Sequence, residues 1–165
     1  MYNVSIEQIL KIKQSTLAKV FKVIMIIVCI VAALTIPQTY GVGIILLAIA
    51  IVFTVIMFKY YDAEYEYTLV ESELTIDKIM SQSMRKRCGT YNISKAEVIA
   101  PANSQEALRM EHKKLKTLNY TSNDNKQDVY VAYVMDNNNE IVKLLIEPND
   151  KMKEAFKTMI PRNFY

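Results

Sequence analysis

Two long apolar segments lie near the start of the chain, and most of the remaining sequence alternates between apolar and polar residues. No charged residue occurs in Val23–Ile36 or in Val42–Phe58. As an α-helix the second segment would be about 26 Å long, close to the ~30 Å hydrocarbon core of a bilayer. The first reaches a similar length when it is extended back to Leu17. The pattern predicts a transmembrane helical hairpin within residues 17–60. The predicted spans are about 17–36 and 42–58.

Two other interpretations of these segments agree less well with the sequence. A secretory signal peptide would end in an A-x-A-like cleavage site, but the first segment ends at "TIPQTYG" and a second apolar segment follows at once. A pair of helices buried in a soluble core is the other alternative. Neither segment has the polar face that is typical of such helices, so the membrane interpretation is preferred.

The lysines around the two segments predict their orientation. Four lysines precede or begin the first span, Lys59 follows the second, and the connecting stretch Pro37–Gly41 carries no charge. The positive-inside rule predicts a multi-pass protein of the cell membrane, with both termini in the cytoplasm and Pro37–Gly41 outside. Residues 1–61 hold five lysines and one glutamate, so the overall net charge of +3 comes from the membrane part. It does not indicate nucleic-acid binding.

The segment before the first span has a helical pattern. Ser5 and Gln8 match an S-x-x-Q capping box, which is typical of a helix start. We expect an amphipathic lead-in helix over residues 1–16 that lies on the inner membrane surface. A frayed cytosolic tail is the alternative. The apolar residues at helical spacing are Ile6, Ile9, Leu10 and Leu17.

After Lys59 the apolar residues recur at every second position, which is typical of half-buried strands. In "YDAEYEYTLVESELTIDKI", which begins at Tyr61, a turn at Glu71–Ser72 predicts a hairpin. "SQEALRMEHKKL" predicts a short helix or an irregular excursion, and "DVYVAYVM" is apolar on both faces, as expected of a central strand. Further strands are predicted in "QSMRKRC", "YNISKAEVIAP", "LKTLNYTS" and "EIVKLLIE".

The last segment has clear helix signals. Pro148 ends the final strand, Asn149 or Asp150 is a good N-cap, and apolar residues recur at i, i+3, i+4 and i+7. We therefore predict a closing helix over residues 150–160. Residues 61–165 would then form a cytoplasmic β domain of about seven antiparallel strands and one helix, in an α+β membrane protein.

Seven strands followed by a C-terminal helix resemble the pleckstrin-homology (PH) superfold, a bent β-sandwich or barrel capped by its helix. The likeness rests on "YEYTLVESELTIDKI", "YNISKAEVI" and "IVKLLIEPNDKMKEAFKTMIP". The layout is similar to uncharacterised, Clostridia-type bacterial families in which two N-terminal transmembrane helices precede a PH-like domain. The resemblance implies a fold and a topology, but no chemistry.

The sequence contains no recognisable catalytic set. His112 is the single histidine, it lies among charged residues, and Cys29 and Cys88 are far apart, so no metal site is expected. With three glycines the chain has no phosphate-binding loop. We expect no cofactor and no enzymatic activity; an enzyme that uses only Asp and Glu is the alternative. Four glutamates look like paired carboxylates, but their spacing predicts the solvent-exposed face of a hairpin. They are Glu64, Glu66, Glu71 and Glu73.

Two basic clusters remain as candidate binding residues. Near an anionic leaflet, each such side chain contributes about 1 kcal/mol to lipid attraction. An ordinary solvated surface is the alternative interpretation. The candidate lipid-headgroup contacts are Arg85, Lys86, Arg87, Lys113, Lys114 and Lys116.

These features predict a membrane-anchored, non-enzymatic interaction module that positions a protein partner at the inner leaflet. The expected partners are the lipid bilayer and a protein, which includes a second copy of the chain; no nucleic acid or small-molecule substrate is expected. Exposed sheet edges are one means by which such a module binds a partner strand. The alternatives are an anionic-lipid-binding PH-like module and a small accessory subunit of a larger membrane complex.

Overall fold

The chain forms two compact units, one built on a β-sheet and one on two apolar helices. The structure is a computed structural model that describes residues 5–14, 16–39, 41–80, 84–124, 128–136, 138 and 140–165, with the backbone alone for 59–61. The β unit comprises Met1–Ile12, Glu64–Ile79 and Arg85–Tyr165. The helical unit comprises Lys13–Ala63 and Met80–Met84.

The described part of the chain contains eight strands and four α-helices. The strands are β1 (Ser5–Lys11), β2 (Ala63–Val70), β3 (Glu73–Met80), β4 (Met84–Asn92), β5 (Val98–Pro101), β6 (Thr117–Asn119), β7 (Tyr130–Met135) and β8 (Ile141–Ile146). The helices are α1 (Thr16–Leu34), α2 (Val42–Tyr61), α3 (Gln105–Met110) and α4 (Asp150–Met159).

β1 shows that the prediction of an amphipathic helix over residues 1–16 is wrong. Ser5–Lys11 is a strand that pairs antiparallel with β2, from Ser5 opposite Val70 to Lys11 opposite Glu64. Even-numbered side chains are partly or fully buried and odd-numbered ones are exposed, as expected of a strand with one solvated face. A surface helix would satisfy its own backbone groups, but pairing with β2 also packs Leu10 and Ile6 into the main core, so tertiary context overrides the helical spacing. Residues 1–4 and 15 lie outside the described residues.

The strands form one mixed sheet rather than the wholly antiparallel sandwich that the sequence predicted. The strand order is β1-β2-β3-β4-β7-β8-β6, and β5 also pairs with β7. β6 runs parallel to β8, whereas β7 pairs antiparallel with β4, β5 and β8. β7 is buried on both faces at Val131–Val134, which confirms the prediction of a central strand.

α4 closes the β unit, as the sequence predicted. The side chain of Asn149 caps the helix by accepting a hydrogen bond from the backbone N–H of Met152 at 2.9 Å. Met152 and Phe156 are fully buried on the inner face of α4. They pack into the main core together with strand residues such as Tyr67 and Ile76. The burial of these apolar side chains holds the amphipathic helix against the sheet.

The helical unit covers the two predicted spans. Gly41, with a φ of 94°, lies in the turn between the helices, a conformation that glycine adopts without strain. Cys29 Sγ of α1 lies 3.5 Å from Thr54 Oγ1 of α2, so the helices contact each other. Within the described residues, Thr16–Gln38 is long and apolar enough to cross a membrane, and Val42–Phe58 is a shorter apolar helix.

Candidate functional site

The basic residues of β4 lie above two buried carboxylates on neighbouring strands. Arg85 Nη2 is 2.7 Å from Glu66 Oε2, an ion pair outside hydrogen-bond geometry, and Arg85 Nη1 is 3.9 Å from Asp77 Oδ2. Arg87 Nε donates a hydrogen bond to Asp77 Oδ1 at 3.4 Å. The arginine side chains are 58% and 70% exposed, while the carboxylates are buried. The two guanidinium charges are thus largely compensated within the sheet, whereas Lys86 is exposed and forms no ion pair with the described residues.

Glu66 lies on the same face of the sheet as the exposed Ile9 of β1, its register partner, but it is buried beneath Arg85 rather than solvated as the sequence predicted. It is 8% exposed, while Glu64 is half-buried and Glu71 and Glu73 lie at or near the turn. A buried carboxylate is stable only with a compensating charge or hydrogen bonds. Arg85 supplies that charge, so this side of the sheet is a structural ion-pair layer.

The strand alternation changes phase between Arg87 and Thr90, around Gly89, and the arginines before this change lie over the carboxylates. Thr90 Oγ1 lies 3.3 Å from Thr75 Oγ1, and Arg87 contacts Asp77, which is on the same face of β3 as Thr75. Residues 87 and 90 would lie on opposite faces of a regular strand. One extra residue between them therefore acts as a local bulge, which the sequence alone did not indicate.

The second basic cluster lies between α3 and β6. Lys113 Nζ forms an ion pair with Glu97 Oε2 at 2.8 Å. Lys114 and Lys116 are exposed and have no ion-pair partner among the described residues. No hydrogen bond or ion pair in the described part of the chain joins this cluster to β4. Of the six candidate headgroup contacts, three are therefore engaged with carboxylates and three remain free for another ligand.

A network of tyrosine hydroxyl groups links β2 and β4 to the segments that follow β6 and β8. Tyr67 Oη donates a hydrogen bond to the carbonyl of Tyr120 at 2.7 Å and accepts one from the backbone N–H of Glu147 at 3.4 Å. Tyr91 Oη and Tyr120 Oη are 3.0 Å apart. Burial raises the pKa of Tyr67, and burial together with the hydrogen bond to Tyr91 raises the pKa of Tyr120. These phenols are neutral at physiological pH, so the network is structural.

The groups with reactive side chains do not form a catalytic arrangement among the described residues. His112 is exposed in the turn after α3. Burial raises the pKa of the Cys88 thiol, so it is mainly protonated at neutral pH and a weak nucleophile. In the described part of the chain, no group of three His, Cys, Asp or Glu side chains lies close enough to hold a metal ion.

The outer edge of β1 is a further candidate surface, which the sequence did not indicate. β1 stands at one end of the sheet and pairs with β2 alone among the described strands. Ile9 is 59% exposed on it. Beside it an apolar groove of about 450 Å³ runs along α4. Ile6, Gln8 and Leu10 are the inward-facing residues of β1. Apolar residues at all three positions would have predicted a strand, but the polar Gln8 interrupts that alternation. The groove is lined by Ile6, Lys151, Glu154, Ala155, Thr158 and Met159.

Comparison with known proteins places the chain in a family. A family model described as a bacterial PH-like domain (DUF6106) matches residues 3–165. The chain therefore belongs to this bacterial PH-like family. The match begins before β1, so it includes β1, both apolar helices and the rest of the β unit. Neither the curated proteins nor the solved structures gave a match.

Proposed function

We propose that this bacterial PH-like protein is a membrane-anchored, non-enzymatic interaction module that positions a protein partner at the inner leaflet. PH-like domains are generally interaction modules without enzymatic activity. The observation that carries the proposal is the position of the apolar helices in the chain. α1 and α2 are inserted between β1 and β2, two strands that pair within one folded unit.

This insertion bears on the number of membrane crossings. Lys11 and Glu64 are register partners, so the chain leaves the β unit and returns to it at adjacent strand ends. A folded β unit lies on one side of a bilayer, because strand edges are not stable in hydrocarbon. The inserted segment must therefore cross an even number of times. If α1 spans the membrane, α2 spans it in return.

The orientation follows from the lysines at the ends of the two helices. Lys11, Lys13, Lys19 and Lys22 precede or begin the first span, and the loop at Pro37–Gly41 has no charge. Under the positive-inside rule, the β unit and both termini are cytoplasmic. Reporter fusions at residues 1 and 165 measure this directly, and we expect both to report the cytoplasm. A C-terminus on the outer face would contradict the proposal.

The contacts of the basic residues support a protein partner over a lipid. Arg85 and Arg87, the strongest candidates for headgroup binding, are engaged with Glu66 and Asp77. Bidentate arginines usually make the tightest contacts to phosphate, so their engagement lowers the expected lipid affinity. The lipid-binding alternative then depends on Lys86, Lys114 and Lys116, at about 1 kcal/mol each near an anionic surface.

The exposed apolar side chains of the helices favour the remaining alternative, an accessory subunit. Leu17 and Ile45 are 80% and 63% exposed in the structure, as expected of side chains that face lipid or another membrane helix. In that case, the partner would contact α1 or α2 rather than the β unit.

The test is site-specific photo-crosslinking of the full-length protein in cell membranes, with the probe at Ile9 or at Ile49. We expect a protein adduct from Ile9. Where that adduct contains a protein other than a second copy of the chain, the membrane-bound fraction of this partner should fall in cells that lack the chain. An adduct from Ile49 alone would support the accessory-subunit alternative. A variant in which Lys86, Lys114 and Lys116 are replaced by glutamate is the control for lipid. Loss of salt-sensitive binding to anionic vesicles in this variant, with no protein adduct at either site, would support the lipid module.

A further inference from the structure

β1 presents a free backbone edge with an unusual charge pattern. None of its backbone groups makes a hydrogen bond to a described residue outside the β1–β2 ladder. A strand edge of this kind is a template for pairing with another strand. The exposed face carries Ser5, Glu7, Ile9 and Lys11. Glu7 forms no ion pair with the described residues, and Lys11 is 86% exposed with a loose 3.7 Å contact to Glu64.

The sequence of this edge is complementary to itself. When two copies of β1 are paired antiparallel about Ile9, residue 7 of one copy lies opposite residue 11 of the other. Glu7 and Lys11 then form two equivalent cross-strand ion pairs, and the Ile9 side chains meet at the centre on the same face. Opposite charges and β-branched residues in directly opposed positions are the pairs that stabilise antiparallel strands.

The other face of the strand is compatible with the same register. There Ile12 of one copy lies opposite Ile6 of the other, at the mouth of the groove along α4. Ile6, Ala155 and Met159 give this groove an apolar floor. A second strand would therefore bury apolar side chains on both faces, while its backbone completes the hydrogen bonds of the β1 edge.

We propose that β1 pairs with β1 of a second copy, which gives a two-fold symmetric dimer centred on Ile9. The contact is isologous, since each copy uses the same surface, and it closes after two chains. The proposed dimer contact uses only residues of the β unit, and it requires no other protein. Membrane anchoring, as proposed above, would raise the local concentration of the two edges.

Cysteine cross-linking of the full-length protein in membranes tests the register. In a C29S/C88S background, Ile9→Cys places two thiols in directly opposed positions, with Cβ atoms about 5 Å apart. Ser5→Cys is the matched control: it is also exposed on β1, but its two copies would be about 26 Å apart, eight residues along the strand. We expect a disulfide-linked dimer from I9C and none from S5C. Equal cross-linking of both, or none from I9C in a protein that retains its circular dichroism spectrum, would overturn the proposal.

Charge reversal tests the ion pairs independently. E7K alone or K11E alone turns two attractive pairs into two repulsive ones, so I9C cross-linking should fall by roughly tenfold. The double variant E7K/K11E restores opposite charges and should restore the cross-link. If the single variants have no effect, or the double variant stays as low as either single one, the register is wrong. A monomer that still positions a partner at the membrane would leave the proposed function intact.

Discussion

At the scale of single residues, Tyr67 shows how the β unit depends on buried hydroxyl groups. Its hydroxyl donates a hydrogen bond to the carbonyl of Tyr120 and accepts one from the N–H of Glu147, and these two groups are far apart in the sequence. Tyr67→Phe would leave both backbone groups buried without a partner, so we expect the free energy of unfolding to fall by about 1–3 kcal/mol. Denaturant unfolding in detergent, followed by circular dichroism, measures the change.

Tyr130→Phe is the matched control for this prediction. Tyr130 stacks on Phe164 at 5.9 Å, and its hydroxyl makes no hydrogen bond to a described residue. Removing that hydroxyl should change the stability little. Similar losses for both variants would show that the Tyr67 hydrogen bonds are not the cause.

Gly89 is required by the close approach of the Tyr91 ring. A Cβ atom at this position would overlap Tyr91 Oη. Since Tyr91 is buried and bonded to Tyr120, it cannot move without loss, and we expect Gly89→Ala to destabilise the protein by about 1–3 kcal/mol. In a Tyr91→Leu background the overlapping ring is absent, so the same substitution should cost less. A double-mutant cycle of thermal or denaturant unfolding measures this coupling, and additive effects would contradict the explanation.

The basic candidate residues show how much of the site the sequence could predict. The sequence identifies exposed cations correctly at Lys86, Lys114 and Lys116. It could not show that Arg85 neutralises Glu66, because that contact depends on the order of β2, β3 and β4 in the sheet. Period-two spacing states which residues share a face, but not whether the face is covered. Whether the free lysines bind lipid stays a prediction.

At the scale of secondary structure elements, local signals predicted the elements after the apolar helices well and the N-terminus poorly. The N-cap at Asn149, the turn at Glu71–Ser72 and the apolar central strand β7 are all local patterns, and all were predicted. β1 pairs instead with a strand more than fifty residues away in the sequence. Its inward polar residue, Gln8, interrupts the alternation that would have identified it.

Gln8 faces inward because it joins β1 to the start of α4. Its side chain donates a hydrogen bond to the carbonyl of Glu147 at 2.7 Å and accepts one from the N–H of Asn149 at 2.8 Å. We expect Gln8→Ala to lower the free energy of unfolding by about 1–3 kcal/mol. It should also increase amide hydrogen exchange in the first turn of α4, which hydrogen-exchange mass spectrometry measures.

Ser5→Ala, on the exposed face of the same strand, is the control for Gln8. It should leave both stability and exchange in α4 unchanged. Faster exchange along the whole of β1, with no change in α4, would indicate that Gln8→Ala weakens the strand itself rather than its link to the helix.

At the scale of the whole molecule, the apolar helices are an insertion into a β unit rather than a segment that precedes it. The sequence predicted both helices and the closing α4, because long apolar runs and caps are local features. It placed the boundary of the β unit at residue 61, because nothing local to Ser5–Lys11 shows that this segment belongs to a sheet. A fragment that begins at residue 62 would therefore lack β1 and expose the inner edge of β2.

The insertion predicts that the β unit can fold without its helices if the β1–β2 connection is closed. Replacing residues 12–63 by Asn-Gly would join Lys11 to Glu64, which are register partners, through a two-residue type I′ turn. We expect a soluble protein with a cooperative unfolding transition, since the core residues of β2, β3, β7 and α4 are all retained.

The fragment 62–165 is the comparison, measured by thermal unfolding and size-exclusion chromatography under the same conditions. It lacks the ladder of β1 and the Gln8 link to α4, so we expect a lower melting temperature and aggregation through the open edge of β2. Equal stability of the two proteins would mean that β1 is not an integral strand of the β unit. An unfolded Asn-Gly variant would mean that the inserted helices are required for the β unit to fold.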